Sequence, residues 1–299
     1  MRVFVAGHRG LVGSALVRRL QGSHELILRT HAELDLTRRD AVEALFARER
    51  PELAFLTAAR VGGIEANRSR PAEFIADNLF IETSVIDAAW RSGVKTLVNF
   101  GSACLYPRDG AQPMKESSIL SGPFEPTNEP YSVAKLAGLT MCQAYNRQYG
   151  TRFLTVIPAT LYGPNDNFDP ASSHVLSALL KRFHESKAAP SVSVWGSGTP
   201  VREFLYVDDL VDALMFLVDR TFDSPINIGT GEGVSIRELA GEIARTVGFT
   251  GKLEFDASKP DGAPRKVLDV SRLSAMGWKP RTTLHDGLRK TYDWLLQTG

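Results

Sequence analysis

The run Met1-Arg2-Val3-Phe4-Val5-Ala6-Gly7-His8-Arg9-Gly10-Leu11-Val12-Gly13-Ser14-Ala15-Leu16 decides the fold class of this 299-residue chain. A short apolar segment leads into three glycines, each separated by two residues, and then into a helical apolar pattern. Glycine at such a turn lets a pyrophosphate and a packed strand approach the backbone closely. The helix that follows offers unpaired N–H groups to the phosphates. The run therefore predicts a strand–turn–helix that binds a dinucleotide.

The second predicted strand, Glu25–Leu28, ends in Arg29-Thr30-His31. A site for NAD normally places an acidic residue here to bind the ribose 2′-hydroxyl, whereas an arginine suits the additional phosphate of NADP. Arg9, in the glycine turn, would lie nearby and complete a clamp for that phosphate. Arg29 could instead be a solvated residue at a strand end. We favour NADP(H) as the cofactor.

Apolar runs alternate with helical patterns along the first half of the chain. The predicted strands are Arg2–Ala6, Glu25–Leu28, Leu53–Thr57, Thr96–Phe100 and Phe153–Ile157. The predicted helices are Leu11–Leu20, Arg38–Ala47, Ala72–Arg91 and Tyr131–Tyr149. This alternation indicates βαβ units, so the fold class is α/β, a Rossmann-type doubly wound parallel sheet. The last two helices could also pair into a homodimer surface, although burial against the sheet would explain their apolar faces equally well.

The sequence changes character after Pro158. Residues 162–170 are predicted to form a loop, His174–His184 a helix, Pro225–Gly229 a buried strand and Ser235–Val247 a helix begun by a capping box. We expect residues 1–160, with a return segment near 203–230, to form the NADP-binding Rossmann domain. Residues 161–202 and 231–299 should form a smaller C-terminal α/β substrate lobe.

Composition excludes several functional classes. Hydrophobic residues make up 43% of the chain and charged residues 23%, and the formal net charge of +1 predicts neither nucleic acid nor a membrane surface as a partner. The two cysteines, Cys104 and Cys142, cannot form a disulfide framework and match no metal site. Since no apolar run resembles a membrane span or a signal peptide, we expect a cytoplasmic protein.

A chemically rich stretch, Gly101-Ser102-Ala103-Cys104-Leu105-Tyr106-Pro107, precedes Tyr131-Ser132-Val133-Ala134-Lys135. If the strand before Ser102 stays extended, Ser102 and Cys104 face the same way. Tyr131 and Lys135 share a helical face, and a lysine there lowers the pKa of a phenol toward that of a usable proton donor. A thiol next to this pair suggests a second proton transfer, although an isolated cysteine is most often a small buried hydrophobe.

These residues together resemble the extended short-chain dehydrogenase/reductases, and within them the GDP-L-fucose synthases, which are 3,5-epimerase-4-reductases. The resemblance covers essentially the whole chain. GxxGxxG and YxxxK define only the superfamily. The segments that carry the resemblance are AGHRGLVGSA, ARVGGIEAN, the Ser-x-Cys-x-Tyr-Pro run, EPTNEPYSVAKLAG, NRQYG, LYGPNDNF, SSHVLSALLKRFHE, VWGSGTPVREFLYVDDL and DASKPDGAPRK. Among them, the Ser-x-Cys run together with SSHV and VWGSGTPVREF is much more specific.

The resemblance implies conversion of GDP-4-keto-6-deoxy-D-mannose to GDP-L-fucose, by epimerisation at C3 and C5 and by NADPH reduction at C4. By this resemblance, Cys104 is the base and His174 is the acid of the epimerisation. The resemblance makes Tyr131 the proton donor at C4, and Lys135 the residue that binds the nicotinamide ribose and tunes Tyr131. Ser102 would hydrogen-bond the C4 oxygen and stabilise the charge that develops there.

The resemblance also implies two sets of binding residues. The cofactor positions are Gly7, Arg9, Gly10, Leu11, Val12, Gly13, Arg29, His31, Asp35, Leu36, Ala58, Lys135, Pro158, Leu161 and His174. The GDP-sugar positions are Arg182, Trp195, Arg202, Asp261 and Lys266. Cations among the latter can face a diphosphate, and the indole offers an apolar wall.

The chain departs from the family pattern in three places: Ala103 lacks a usual hydroxyl, Ala159 and Thr160 replace Thr-Asn, and His31 replaces a second arginine. They leave open another 4-keto-6-deoxy sugar, of the colitose or heptose type, as substrate. A 4-epimerase or 4,6-dehydratase is a further alternative, although a dehydratase needs a carboxylate where Ala103 and Cys104 stand. A non-catalytic NADP-binding sensor is the alternative from another class, and such proteins often lose the tyrosine or the lysine.

Overall fold

Strands and helices alternate throughout this computed structural model, which describes residues 1–169, 173–220, 222, 224–259 and 261–298, without the side chain of Ile64. The strands are β1 (Arg2–Ala6), β2 (Glu25–Ile27), β3 (Leu53–Leu56), β4 (Thr96–Phe100), β5 (Arg152–Pro158), β6 (Thr160–Tyr162), β7 (Ser191–Trp195), β8 (Val201–Arg202), β9 (Phe204–Tyr206), β10 (Ile226–Ile228), β11 (Val234–Ser235), β12 (Lys252–Asp256) and β13 (Arg265–Lys266). The helices are α1 (Leu11–Leu20), α2 (Arg39–Glu49), α3 (Ile64–Ser69), α4 (Pro71–Arg91), α5 (Glu129–Tyr149), α6 (Val175–Glu185), α7 (Val207–Leu217), α8 (Ile236–Val247), α9 (Ser271–Ala275) and α10 (Leu284–Thr298).

A six-stranded sheet in the order β10-β5-β4-β3-β1-β2 forms the centre of the molecule, and every neighbouring pair is parallel. Successive side chains of a strand point to opposite faces. Val3 and Val5 therefore pack in the apolar core that contains α1 and α7, while Phe4 and Ala6 pack in the core of α2, α4 and α5. Helices on both faces of a parallel sheet confirm the predicted doubly wound α/β fold.

Most predicted elements are confirmed to within a few residues, whereas the helices α3, α7, α9 and α10 were not anticipated. The apolar segment Arg202–Val207 is divided among β8, β9 and the first residue of α7. Asp208 and Asp209 occupy the first turn of that helix, where acidic residues favour the positive end of the helix dipole. An apolar run with β-branched residues did not reveal this change from strand to helix.

A second apolar core joins α6, α8 and α10 with β7 and β9. In this part β12 pairs with β7, while β8 pairs with β11 and β13. The predicted capping box is confirmed, since Ser235 accepts a bond from the Glu238 N–H and the Glu238 carboxylate accepts one from the Ser235 N–H. The predicted buried strand Pro225–Gly229 returns to the main sheet as β10, beside β5.

None of the helices in the described part of the chain has both the length and the apolar character needed to cross a membrane.

Candidate active site

Two positions of the glycine turn after β1 have no room for a side chain. Gly7 has a φ of +79°, and a Cβ there would lie 2.9 Å from the Thr57 hydroxyl oxygen. A Cβ on Gly13 would lie 2.1 Å from the Gly7 carbonyl oxygen. Helix α1 begins directly after Gly10 without a side-chain cap, so its N-terminus faces the turn. This arrangement fits a pyrophosphate, which binds unpaired N–H groups at a helix N-terminus.

A cavity of about 510 Å³ opens beside this turn, at the carboxyl ends of β1, β2 and β3. Strand order reverses at β1, and such a switch point is where open α/β sheets bind nucleotides. The predicted cofactor residues that line the cavity are Gly7, Arg9, Gly10, Arg29, His31, Asp35, Leu36 and Ala58. The sequence analysis missed His8 and Arg60, which also line it; the buried Nδ1 of His8 has no partner among the described residues.

The other predicted cofactor residues lie outside this cavity. Leu11 and Val12 pack against the core of α1, and Gly13 is buried beneath the turn. Pro158 ends β5, which is separated from β1 by β3 and β4 in the sheet, and Leu161 lies in β6, which pairs with β9.

The two arginines of the predicted phosphate clamp have different surroundings. The Arg29 Nη2 lies 2.8 Å from the Glu49 Oε1, and its Nη1 donates to the carbonyl of Leu28. Arg9 forms no ion pair or hydrogen bond with any residue that the structure describes. The Glu33 carboxylate lies near both arginines, and hydrogen bonds from Thr30 hold its pKa below the usual range. Arg9 is thus the clamp residue with a free guanidinium.

Ser102 and Cys104 are brought together by a turn rather than by an extended strand. Residues Ala103–Leu105 form a short 3-10 turn, and the Ser102 hydroxyl accepts a hydrogen bond of 3.2 Å from the Cys104 N–H. The expectation that β4 stays extended through Cys104 is therefore wrong. Asn128, just before α5, donates its side-chain N–H to the Cys104 sulfur over 3.1 Å. Sequence analysis missed Asn128, although it stands directly before the helix of Tyr131.

Tyr131 lies in the first turn of α5, close to Ser102 and Cys104. Its phenol shares a hydrogen bond with the Ser102 side chain and lies near Cys104 and Lys135. Burial raises the pKa of Tyr131, and the positive charge of Lys135 offsets only part of this rise. Lys135 thus lowers the pKa of the phenol as predicted, but burial makes the net shift upward.

Lys135, one turn further along α5, forms an ion pair with Glu82 of α4. The Lys135 Nζ lies 2.7 Å from the Glu82 Oε1, and the two side chains are 3% and 1% exposed. Burial is the largest influence on Lys135 and lowers its pKa, but the charge and hydrogen bond of Glu82, together with the neighbouring Tyr131, make the net shift upward. Burial raises the pKa of Glu82. Sequence analysis missed Glu82, which lies 53 residues away in the chain.

His174 is the exposed residue that precedes α6. No side-chain hydrogen bond joins it to Cys104 or to any other described residue, so the structure does not bring the predicted acid and base into contact; its carbonyl accepts the Ala178 N–H of α6. The half-buried Asp166 carboxylate accepts a hydrogen bond from the Ser177 hydroxyl on α6 and lies near His174. Ser172 of the SSHV motif lies outside the described residues.

The predicted GDP-sugar residues are distributed over a helix, three strands and a loop: Arg182 in α6, Trp195 in β7, Arg202 in β8, Lys266 in β13 and Asp261 between β12 and β13. Arg202 of β8 is in register with Lys266 of β13. Trp195, at the end of β7, is 62% exposed, and the Arg182 guanidinium lies 5.7 Å from its ring centroid. Asp261 instead accepts hydrogen bonds from the N–H and hydroxyl of Ser197, at 2.7 and 2.8 Å. The Asp261 carboxylate therefore stabilises the turn at Ser197.

Comparison with known proteins gives a consistent result. A sequence profile of the NAD dependent epimerase/dehydratase family matches residues 3–229. GDP-L-fucose synthase 1 of Arabidopsis thaliana is 54% identical over 99% of this chain and 93% of its own length. GDP-L-fucose synthase of Escherichia coli (strain K12) is 52% identical over 99% and 97%. GDP-L-colitose synthase of Yersinia pseudotuberculosis is 32% identical over 99% and 98%.

Two solved structures superimpose closely. A GDP-6-OMe-4-keto-L-xylo-heptose reductase from C. jejuni has a TM-score of 0.94 at 36% identity, over 100% of this chain and 98% of that one. A GDP-L-fucose synthetase from Naegleria fowleri bound to NADP has a TM-score of 0.92 at 28% identity, over 99% and 92%. With the glycine turn and the tyrosine–lysine pair on one parallel sheet, these matches lead to one conclusion: the chain belongs to the NAD dependent epimerase/dehydratase family.

Proposed function

We propose that this chain is an NADP(H)-dependent 3,5-epimerase/4-reductase that converts GDP-4-keto-6-deoxy-D-mannose to GDP-L-fucose. The observation that carries the proposal is a thiol, Cys104, beside the Tyr131–Lys135 pair. Reduction of a ketone needs only an acid, whereas epimerisation also needs a base. Identity above 50% to GDP-L-fucose synthases over nearly their whole length supports the same function.

The ketone at C4 acidifies the protons on C3 and C5. In the proposed epimerisation, the Cys104 thiolate removes one of these protons and His174 returns a proton to the opposite face of the resulting enolate. The side-chain N–H of Asn128 donates to the Cys104 sulfur and would orient it for this step. The Ser102 hydroxyl would stabilise the negative charge on the C4 oxygen. His174 must approach the sugar for this step, and its exposed place before α6 allows it.

NADPH, when bound, supplies the hydride that reduces C4. The glycine turn and the cavity beside it suit the adenine end of this cofactor, and Lys135 would bind the nicotinamide ribose. Tyr131 then gives its proton to the C4 oxygen. The protonated phenol is the form that this step consumes, and the positive charge of Lys135 favours release of its proton.

The GDP-sugar would bind where Arg182, Arg202 and Lys266 can face its diphosphate and Trp195 its apolar surfaces. Asp261 would act indirectly, through the turn at Ser197. Residues 1–160 with the return near 203–230 would carry the cofactor, and 161–202 with 231–299 the sugar nucleotide. We further propose that the protein acts as a homodimer in the cytoplasm.

The alternatives have weaker support. Identity is 32% to the GDP-L-colitose synthase and 36% to the heptose reductase, against 54% and 52% to the two GDP-L-fucose synthases. Neither a 4-epimerase nor a plain ketoreductase has a use for a thiol beside Tyr131. A sensor has no use for an intact tyrosine–lysine pair.

The test follows deuterium incorporation and NADPH consumption separately, with GDP-4-keto-6-deoxy-D-mannose in D₂O. Cys104→Ser should reduce C3/C5 exchange ~10²–10⁴-fold, the usual contribution of a general base, while the ketone stays reducible and an unepimerised product accumulates. Tyr131→Phe should do the reverse, and exchange deuterium without consuming NADPH.

Cys142→Ala is the matched control, because this second thiol is buried in the core of α5 and should not affect either readout. A doubly epimerised product from Cys104→Ser at near wild-type rate would make Cys104 a packing residue and the chain a plain ketoreductase or 4-epimerase.

A further inference from the structure

The Glu82–Lys135 pair is buried to a degree that is rare for charged side chains. A buried ammonium without a counter-ion is pushed toward its neutral form, because burial disfavours charge. The Glu82 Oε1 accepts the Lys135 hydrogen bond, while its Oε2 is buried and has no hydrogen-bond partner among the described residues. Such an oxygen is costly to bury. The pair therefore has a cost that packing alone does not explain.

Gly138 makes the pair possible. This residue lies one turn beyond Lys135 on α5, and a Cβ built on it would lie 1.2 Å from the Glu82 Oε2. Glycine inside a helix costs ~0.5–1 kcal/mol relative to alanine. Helix α5 therefore contains an unfavourable residue at the one place where the carboxylate of α4 must fit.

Few titratable groups other than Glu82 surround Lys135. Tyr131 and Cys142 of α5 are the others that act on its charge. The 3-10 turn after β4 contributes Cys104, which lies next to Tyr131, and β4 contributes the neutral amide of Asn99 near Glu82. Glu82 is thus the negative charge that compensates Lys135 among the described residues.

We infer that Glu82 is a positioning residue for the reduction step, because it keeps Lys135 protonated and holds one of its three N–H groups. The inference rests on the proposed role of Lys135 in binding the nicotinamide ribose. An ammonium has three donors, so two remain for ribose hydroxyls. Glu82 also helps to keep the Tyr131 phenol protonated, since its charge adds to the burial that raises the pKa of that group.

The sign of the expected pH effect follows from this arrangement. Glu82 holds the pKa of Lys135 above its ordinary value. Without that charge, burial would bring the pKa below the ordinary value, and Lys135 would lose its proton as the pH rises. A missing counter-ion shifts a pKa by ~1–3 units. Binding of the nicotinamide ribose, which needs the Lys135 ammonium, should then be lost at alkaline pH and recover at lower pH.

The test compares wild type with Glu82→Gln, which removes the charge and keeps the shape. We would measure NADP⁺ binding by fluorescence and kcat/KM for NADPH from pH 6 to pH 10, with circular dichroism to verify folding. In the variant, both quantities should fall by roughly tenfold per pH unit above the lowered pKa. In the wild type, NADP⁺ binding should show no such fall below pH ~10, near the ordinary pKa of lysine. Parallel pH profiles for the two proteins would overturn the inference.

If Glu82→Gln does not fold, Gly138→Ala offers a second way to remove the Glu82 charge from Lys135, because the added methyl displaces the Glu82 carboxylate. It should reproduce the alkaline loss of binding. Gly241→Ala is the matched control, since a Cβ on this glycine of α8 meets only the Arg245 Nη1 at 3.9 Å. It should leave both profiles unchanged.

Lys135→Met separates the proposed role of Lys135 in cofactor binding from the inference about Glu82. If this variant binds NADP⁺ and reduces the sugar like the wild type, the proposed role of Lys135 fails. If it loses both properties while Glu82→Gln and Gly138→Ala keep the wild-type profile, only the inference about Glu82 fails.

Discussion

At the scale of single residues, Asn128 and Cys104 give the clearest local prediction. The Asn128 side chain donates to the sulfur over 3.1 Å, yet it makes no capping bond to α5. Its side-chain oxygen is buried without a partner among the described residues, so its contact with the thiol is the visible reason for its placement. A donor to a thiolate is a hydrogen bond to a charged group and is worth ~1.5–3 kcal/mol.

Asn128→Ala should therefore slow alkylation of Cys104 by iodoacetamide at neutral pH by about tenfold, the equivalent of 1.4 kcal/mol. Mass spectrometry of the modified peptide gives the rate. Cys104→Ser supplies the background, because Cys142 is fully buried. An unchanged rate would mean that the contact does not stabilise the thiolate.

Cofactor preference is also decided by single residues. Arg9 is free of ion pairs among the described residues, whereas Arg29 is tied to Glu49. We expect kcat/KM to be higher with NADPH than with NADH, and Arg9→Met to reduce that preference by roughly tenfold or more, since a charged hydrogen bond is worth ~1.5–3 kcal/mol. Arg29→Met should have the smaller effect. Equal kcat/KM for the two cofactors in the wild type would contradict the assignment of NADP(H).

At the scale of elements, the glycine turn and the capping box show how local sequence sets helix boundaries. Helix α8 begins with reciprocal bonds between Ser235 and Glu238, and ends at Gly248 with a φ of +77°. Both signals act within one turn of the helix, so they hold whatever the rest of the chain does. The helix packs its buried face against α6 and α10 in the second core.

Ser235→Ala should lower the free energy of unfolding by about 1 kcal/mol, the usual value of an N-cap, as measured by urea denaturation. Ser69→Ala is the control, because this exposed hydroxyl bonds back to the Glu65 and Ala66 carbonyls of its own helix. Equal effects of the two substitutions would show that the capping box adds no stability.

At the scale of the whole molecule, α4 and α5 pack against each other and also expose apolar side chains. Phe80 on α4 is 55% exposed, and Val133 and Tyr149 on α5 are exposed as well. Burial against the sheet therefore accounts for only part of the apolar character of these helices. Exposed aromatic and aliphatic residues on one helix pair suit a contact between two copies of the chain.

Phe80→Glu should shift the protein from dimer to monomer, because a buried unpaired carboxylate is costly. Light scattering after gel filtration would measure the mass. Leu296→Glu changes an equally exposed leucine of α10 and should leave the dimer intact. A wild-type protein that is monomeric at micromolar concentration would rule out the homodimer.

Local sequence determined the sheet, the glycine turn, the capping box of α8 and the choice of Cys104, Tyr131 and Lys135. The reason is that these features depend on periodicities of two and 3.6 residues and on backbone constraints within a few residues. Only the tertiary structure placed Glu82 against Lys135, Asn128 against Cys104 and Arg29 against Glu49. Each of these contacts joins residues 20 or more positions apart. Whether such charges meet depends on how helices and strands pack, which no local pattern encodes, and that packing set the charge environment of the site.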